Sequence, residues 1–247
     1  MREEMSGESI DMIYADPPYN ASHRPLALPN NKTGGAYYKI NEEWDSFTES
    51  GYARFCEQWI TQAHRVLKPS GSLFVACSMH NIGEVIVCAK KLGLRQKNII
   101  VWRKPNAMPS ITKRLFTHTT EYTCWFVKGS GWTFNYNALK AMNPEKAKDG
   151  SDKQMPDFIE LPLVQGKERI CAEDSRRALH PTQKPERLLE VFITAATNDG
   201  DIVLDPFMGS GTTAVVAERL RRQWIGMELN DRYINAANER ICKARQK

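Results

Sequence analysis

Short apolar segments alternate along most of this chain with segments whose apolar residues recur at helical spacing. Strand-like runs occupy residues 9–15, 72–77, 98–102, 122–127, 201–204 and 224–227, and helical spacing marks residues 52–67, 82–92, 186–196, 212–221 and 231–242. The Lys-Pro-Ser-Gly run at residues 68–71 predicts the end of the first helix. Strands that alternate with helices predict a mostly parallel sheet with helices on both faces. We therefore predict an α/β protein with a doubly wound sheet.

Two segments break this alternation. Residues 20–44 hold prolines, glycines and asparagines without periodicity, which predicts a long loop of the kind that often serves as a lid or a binding segment. Residues 128–179 are polar and weakly periodic, which predicts a partly mobile insert with little core of its own. We expect one domain, made of residues 1–127 and 180–247, with this insert between its two halves.

The composition limits the class of protein. With 247 residues, 41% of them hydrophobic, the chain can bury one core. None of the six cysteines forms a C-x-x-C pair, and Cys77 and Cys124 fall in apolar runs, which predicts reduced, buried thiols and no structural metal. The N-terminal glutamates exclude a signal-peptide core, and no run approaches the roughly 20 apolar residues of a membrane span. We therefore expect a cytoplasmic protein without a membrane anchor.

The basic charge is concentrated in one part of the chain. The formal net charge is +5, but residues 95–128 alone contain seven basic residues and one acid, Glu121, which gives a local net charge of +6. Such a cluster is typical either of a surface that binds a polyanion or of an ordinary solvated face.

A glycine turn near the C-terminus indicates a cofactor site. A predicted strand leads into Asp205, and Gly209 and Gly211 open the next helix, as in doubly wound folds where a ligand approaches the backbone and the free N–H groups of a helix. The chain has neither G-x-G-x-x-G nor G-K-[ST] here, which excludes a dinucleotide fingerprint and a P-loop. Glu228 ends the following strand about 20 residues later, where such folds place a carboxylate on a ribose. A tight turn and an exposed acid are the alternatives, but together the two signals favour an adenosyl-type cofactor.

A second loop indicates an amino-group site. The sequence Asp16-Pro17-Pro18-Tyr19 follows the first predicted strand, so it lies at the carboxyl edge of the sheet, where ligands bind in such folds. The prolines lack N–H donors, which leaves the Asp16 carboxylate and the Pro17 carbonyl as acceptors for an exocyclic amino group. Tyr19 offers a ring on which a base can stack. An ordinary proline turn is the alternative.

Five blocks of the chain, in the expected order, resemble the beta class of amino-methylating DNA methyltransferases, which use S-adenosylmethionine (SAM). The blocks are residues 15–20, 65–72, 180–185, 205–213 and 225–233. In that class the D-P-P-Y loop precedes the target-recognition region and the F-x-G-x-G loop comes last. The resemblance covers most of the chain and implies a Rossmann-like methyltransferase fold of permuted order.

The resemblance also implies roles for individual residues. Asp16 and Tyr19, with Pro17 and Pro18 between them, would hold the flipped base. The cofactor site would comprise Asp16, Thr182, Lys184, Asp205, Phe207, Gly209, Gly211, Thr212, Glu228 and Asn230. Within it, Thr182 and Lys184 would contact the SAM carboxylate and Glu228 the ribose.

The same resemblance assigns the segments and partners. Residues 1–127 would be the catalytic half, residues 128–179 the target-recognition region and residues 180–247 the SAM-binding half. Duplex DNA would be the substrate, in a restriction–modification setting, and the protein would form a homodimer.

The reaction that we expect is methyl transfer to the N6 amino group of adenine in DNA. Asp at position 16 favours adenine, because Ser is commoner in the cytosine enzymes, although N4-cytosine is chemically alike for this loop. A methyltransferase that acts on glutamine side chains of proteins would be expected to carry Asn at position 16. The remaining alternative is a non-catalytic DNA-binding paralogue.

Two features depart from the family pattern. Family members usually carry a strand and a Gly-Asp turn, which meets the adenine of SAM, before the segment that here begins near Ser6; we expect either that another residue closes the adenine pocket or that a natural N-terminal segment precedes this sequence. The loop of residues 20–44 is also long for the family. Its Tyr37, Tyr38 and Trp44 either stack on the target base or pack within the loop.

Overall fold

Nine strands and six α-helices are identified among the described residues of the computed structural model. The structure describes residues 1, 5–20, 45–110, 113–171 and 178–246, and the backbone alone of residues 27–28 and 37–38. In chain order the elements are β1 (Ile10–Ala15), β2 (Ala27–Leu28), β3 (Tyr37–Tyr38), α1 (Glu49–Val66), β4 (Leu67–Cys77), α2 (Ile82–Lys91), β5 (Arg95–Arg103), β6 (Thr120–Val127), α3 (Tyr136–Met142), β7 (Phe158–Glu160), α4 (Glu186–Ala196), β8 (Ile202–Asp205), α5 (Thr212–Arg219), β9 (Gln223–Gly226) and α6 (Asp231–Arg245).

Seven of these strands form one sheet in the order β7-β5-β6-β4-β1-β8-β9. Within that sheet, β6 pairs antiparallel with β4 and with β5, and every other neighbouring pair is parallel. The prediction of a mostly parallel α/β sheet is therefore confirmed.

The centre of the sheet sets the position of the site. β1 pairs in parallel with β4 on one side, where Ala15 lies opposite Val75, and with β8 on the other, where Ile13 lies opposite Leu204. The chain thus leaves β1 in one direction and returns on its other flank much later. Such a switch point opens a crevice at the carboxyl ends of the strands, where doubly wound folds bind ligands.

The side chains of β1 alternate between the two faces of the sheet, and helices cover both faces. Ile13 and Ala15 pack in the core beneath α1 and α2. Met12 and Tyr14 pack on the opposite face, beneath α4 and α5. The buried thiols of Cys77 and Cys124, expected from the sequence, also lie in the sheet core.

α1 ends before residues 68–71, as the sequence pattern predicted, but these residues do not form a separate turn. α1 ends at Val66 and β4 begins at once, so these residues lie inside an eleven-residue strand. Between Leu67 and Ser72 the register against β1 shifts, and this bulge accommodates Pro69, since proline is tolerated in sheets at irregularities. Gly71 is required there because a Cβ would lie 2.6 Å from Leu67 Cγ.

The predicted insert contributes to the main fold. Within residues 128–179, α3 buries Leu139 in the core beneath α4, and β7 extends the sheet in parallel with β5. Neither element was predicted, because both are short and their apolar spacing is weak. The assignment of this segment as a separate target-recognition region stays a prediction.

Among the described residues, no helix combines the length and apolar character that crossing a membrane requires.

Phe192→Ala tests the core on the α4 side of the sheet. The Phe192 ring is 1% exposed and stacks on Phe74 with a centroid distance of 5.2 Å. Its truncation leaves a cavity, and we expect the free energy of unfolding to fall by about 3–5 kcal/mol in urea titrations. The control Val87→Ala, at a site that is 52% exposed, should change it by about 0.5 kcal/mol or less. A Phe192→Ala loss as small as that of the control would contradict this packing.

Candidate active site

The two loops singled out from the sequence begin side by side. Asp16 directly follows β1, and Asp205 ends β8, the strand paired with it in parallel. Because parallel strands end at the same edge, loops more than 180 residues apart in sequence open into one crevice.

Asp16 is held by two partners. Its Oδ2 lies 2.6 Å from Lys184 Nζ, and its Oδ1 accepts a hydrogen bond from the Tyr19 hydroxyl at 2.7 Å. The Lys184 side chain is only 7% exposed, and its ammonium lies 5.3 Å from the centroid of the Tyr19 ring. A carboxylate has about four lone-pair sites, so these two contacts leave acceptor capacity at Asp16.

Glu121 and Lys104 extend this ion pair into a buried network. Glu121, on β6, lies 3.6 Å from Lys184 Nζ, accepts from the Tyr19 hydroxyl at 3.5 Å and pairs with Lys104 at 2.9 Å. Two carboxylates and two ammonium groups thus balance one another, which burial of charge requires. The sequence pattern missed both roles, although Glu121 is the single acid in the basic cluster.

The pKa shifts of Glu121 and Lys184 favour the charged form of each. Burial alone would raise the pKa of Glu121, but Lys184 and Lys104 outweigh burial and bring that pKa below its usual range. For Lys184 burial would lower the pKa, yet Asp16 and Glu121 raise it above its usual value. Carboxylates and ammonium groups therefore stabilise each other's charged forms.

The loop after β1 is held by hydrogen bonds to Tyr52 and Asp45. The Pro18 carbonyl accepts a hydrogen bond from the Tyr52 hydroxyl at 2.7 Å, and that hydroxyl accepts one from Asn81 Nδ2 at 2.9 Å. Asn20 has a positive φ of 56°, and its N–H donates to Asp45 Oδ1 at 2.7 Å. These contacts fix the loop without using Asp16.

The side chains of Tyr37, Tyr38 and Trp44, the proposed stacking residues, lie outside the described residues.

The glycines of the second loop are required by conformation and by space. Gly209 has φ 50° and a Cβ there would lie 2.8 Å from His180 Nε2. Gly211 has φ 78° and a Cβ would lie 2.7 Å from the Cβ of Ala237. Positive φ favours glycine, so both positions exclude larger residues, and the backbone stays open to a ligand.

Two acids shape this loop. Glu228 Oε2 accepts from the Gly209 N–H at 2.9 Å, and its Oε1 accepts from the N–H groups of Leu229 and Asn230 at 2.8 Å each. Asp205 accepts from the Phe207 N–H at 3.0 Å and from Thr213 Oγ1 at 2.5 Å. Burial raises the pKa of Asp205 to about 7.

Arg240 also holds the loop, and the sequence pattern gave no sign of it. Its Nη1 donates to the Ser210 carbonyl at 2.7 Å and to Thr212 Oγ1 at 3.1 Å, and its Nη2 pairs with Glu186 at 2.8 Å. An arginine on a surface helix is ordinarily solvated, so only the packing of α6 against the loop reveals this contact.

A small cleft that is open to solvent lies between the two loops. Its lining includes Tyr14, Asp16, His180, Thr182, Gln183, Lys184, Leu189, Asp205, Phe207, Met208, Gly209, Ser210, Thr212 and Thr213. Seven of the predicted residues are therefore brought together: Asp16, Thr182, Lys184, Asp205, Phe207, Gly209 and Thr212.

The other predicted cofactor residues do not line the cleft. Gly211 and Asn230 are the N-caps of α5 and α6, where Asn230 Oδ1 accepts from the Arg232 N–H. The Glu228 carboxylate contacts the loop by accepting the backbone N–H of Gly209. Their direct contacts with a cofactor stay predictions.

The cleft has the chemistry that an amino-acid-bearing sulfonium cofactor needs. The Lys184 ammonium and the hydroxyls of Thr182 and Thr212 can donate to a carboxylate, and Asp205 can accept from an ammonium group. The open backbone at Gly209 permits close approach. No group of three or more His, Cys, Asp or Glu residues suited to a metal occurs in the described part of the chain.

Comparison with known proteins gives a consistent result. The family model N6_N4_Mtase, described as DNA methylase, matches residues 10–239. The type II methyltransferase M2.DpnII of Streptococcus pneumoniae is 39% identical over 245 residues, which are 96% of this chain and 84% of that protein. The type II methyltransferase M.HinfI of Haemophilus influenzae is 38% identical over 237 residues, which are 95% of this chain and 63% of that protein.

The crystal structure of the M1.HpyAVI–SAM complex resembles this structure along most of its length. The TM-score is 0.67 at 28% identity, with 97% of this chain and 91% of that chain covered.

Glu121→Gln tests the charge balance of the network. The substitution keeps the shape of the side chain but leaves the buried ammonium groups of Lys104 and Lys184 with one carboxylate. We expect the free energy of unfolding to fall by about 3–5 kcal/mol. The control is Glu160→Gln, which removes an exposed pair with Arg103 and should cost about 0–1 kcal/mol. Equal, small losses in urea titrations of both variants would contradict a buried network.

Asp205 should make stability depend on pH. Its folded-state pKa is about 7, against an ordinary value of 3.8. As the pH rises between these values, the unfolded chain loses the proton while the folded protein keeps it, so the free energy of unfolding falls. Below this window and above it, Asp205 adds no further slope. In urea titrations across it, Asp205→Asn should gain stability relative to the unsubstituted protein as the pH rises. A constant difference would contradict the raised pKa.

Proposed function

The chain belongs to the N6/N4 DNA methylase family, and on that premise we propose that it methylates the N6 amino group of adenine in DNA. It is a DNA methyltransferase whose cofactor is SAM. The observation that carries the proposal is that Asp16, the acceptor for an amino group, and the glycine loop line the same cleft. The intact loops argue against the non-catalytic alternative.

The cofactor supplies a methyl group made electrophilic by its sulfonium. Lys184 and Thr182 hold the cofactor carboxylate in this proposal. Lys184 has three N–H donors, so it can keep its contacts with Asp16 and Glu121 and still offer one. In this proposal Gly209, Gly211 and Thr212, with Asp205 and Phe207, would line the methionine side of the cofactor, Glu228 would contact the ribose, and Asn230 would belong to the same cofactor site.

Asp16 orients the amino nitrogen. A base inside a duplex cannot reach the cleft, so it must be extruded at a cost of a few kcal/mol. The Asp16 carboxylate and the Pro17 carbonyl accept the two amino hydrogens and draw electron density onto the nitrogen. Tyr19 stacks on the base, a contact worth about 1–3 kcal/mol. Methylation would form the N–C bond as the sulfonium S–C bond breaks, with S-adenosylhomocysteine released and the displaced amino proton passed through the Asp16 carboxylate to solvent. Since no strong base is needed, positioning supplies most of the catalysis.

Adenine is favoured over cytosine by the residue at position 16. The family resemblance associates Asp at this position with adenine and Ser more often with cytosine. The network adds a reason for the acid here, because a neutral residue would leave Lys184 and Lys104 paired with Glu121 alone.

The assembly, the setting and the location are further parts of the proposal. We propose a homodimer that acts in the cytoplasm within a restriction–modification system. Sedimentation of the free protein tests the dimer, and a mass of one 28.2 kDa chain at micromolar concentration would contradict it.

The decisive experiment is methyl transfer from labelled SAM to unmethylated mixed-sequence DNA, followed by nucleoside analysis of the product. We expect N6-methyladenine, and mapping of the modified positions then gives the recognition sequence. N4-methylcytosine would keep the site chemistry and overturn the choice of base. The absence of both methylation and SAM binding would contradict the proposed function.

Asp16→Ala tests the role of the amino-group acceptor. Loss of the carboxylate should lower the methylation rate at saturating SAM by about 100-fold or more, and calorimetry separates this loss from any weakening of SAM binding through Lys184. The control Glu239→Ala removes an exposed carboxylate on α6 that pairs with Lys243 and should leave the rate unchanged. Near-normal methylation by Asp16→Ala would contradict the proposed role.

A further inference from the structure

Two bulky apolar side chains project into solvent beside the catalytic edge. Leu115 is 78% exposed and Phe116 is 99% exposed, and both lie in the connection between β5 and β6. Single exposed apolar residues are ordinary, but an adjacent apolar pair held almost wholly in water is typical of an interaction surface. We call the four residues 113–116 the apolar tip.

The charges of the tip fit a polyanion. Lys113 and Arg114 directly precede the apolar pair, and residues 104–120 contain no acid. Lys113 and Arg114 form no ion pair with any described residue, whereas Lys104, at the base of the connection, is already paired with Glu121. A second copy of this chain, itself basic, would bring like charges together at such a contact. Duplex DNA would bring phosphates.

The tip is linked to the active site through the base of the hairpin. The Lys104 N–H donates to the Thr119 carbonyl at 2.7 Å, and Glu121, one residue into β6, contacts Tyr19 and Lys184. Phe116 precedes β6 by four residues, which can span at most about 14 Å. The tip therefore lies at the same edge of the sheet as Asp16 and within short reach of it.

Extrusion of a base leaves a gap in the duplex that an apolar side chain of the tip can fill. When a base leaves the stack, its neighbours lose a stacking partner, and apolar side chains inserted between base steps can take that place. We propose that Phe116, with Leu115 beside it, inserts into the duplex where the target base has left, while Lys113 and Arg114 contact the flanking phosphates. This inference rests on the proposed function and identifies the surface that drives extrusion.

Phe116→Ala tests the insertion. On duplex DNA with the mapped site, we expect kcat/KM to fall by about 5- to 150-fold, the range that corresponds to one lost stacking contact. The loss should shrink to less than about threefold on a duplex whose target base is mispaired, because extrusion then costs less. Phe116→Trp should retain activity on both substrates, and SAM affinity by calorimetry should be unchanged. Val87→Ala, an exposed apolar site on α2, is the control.

A charge variant provides an independent measurement. Replacement of both Lys113 and Arg114 by Gln should reduce the slope of log K against log salt for duplex binding by about 2, one unit for each lost phosphate contact. An unchanged slope would overturn the assignment of phosphate contacts.

Three results would overturn the insertion. A Phe116→Ala variant that is as active as the unsubstituted protein on paired DNA would exclude the insertion. An equal loss on paired and mispaired DNA would show a structural role. A change from dimer to monomer in Phe116→Ala would assign the tip to contact between copies. If the unsubstituted protein methylates no DNA, the proposed function itself fails; if it is active and only the Phe116 results disagree, the insertion alone fails.

Discussion

The buried ion pair between Asp16 and Lys184 is the contact on which the site depends. It joins residues 168 positions apart at 2.6 Å and so holds the loop after β1 against the segment that precedes α4. An isolated buried pair seldom repays the loss of hydration. Here Glu121 and Lys104 complete a neutral set of four charges. The Tyr19 hydroxyl donates to Asp16 at 2.7 Å and lies 3.5 Å from Glu121. In the proposed function, the residues that hold this loop also orient the Asp16 carboxylate towards the amino group.

Topology explains why such distant residues meet. β1 has β4 on one side and β8 on the other, both parallel to it, so the amino-group loop and the cofactor loop leave the sheet as neighbours. Each loop is also held through a backbone carbonyl. The Tyr52 hydroxyl donates to the carbonyl of Pro18, and Arg240 donates to the carbonyl of Ser210. A site held on rigid strands and supported by such contacts loses little conformational entropy when its ligands bind. In the proposed function, this preorganisation lowers the barrier to methyl transfer.

Much of this could be predicted from the sequence because the signals are local. Helical spacing predicted α4 with its bounds, and glycine and proline marked both loops. What could not be predicted depends on distant partners: the register that brings Glu121 to Lys184, the bulge that absorbs residues 68–71, and the packing of α6 that places Arg240 on the cofactor loop. α3 and β7 are too short for periodicity to reveal, and they take their stability from the core on which they pack.

The most direct measurement is a crystal structure of the protein with a non-reactive SAM analogue and a duplex that carries the mapped site. We predict an extruded adenine whose N6 atom lies about 2.7–3.2 Å from the Asp16 carboxylate and from the Pro17 carbonyl, with the Tyr19 ring on its face and the analogue between Asp16 and the glycine loop. A target base that remains stacked in the duplex, or an amino group bound by residues other than Asp16, would contradict the account.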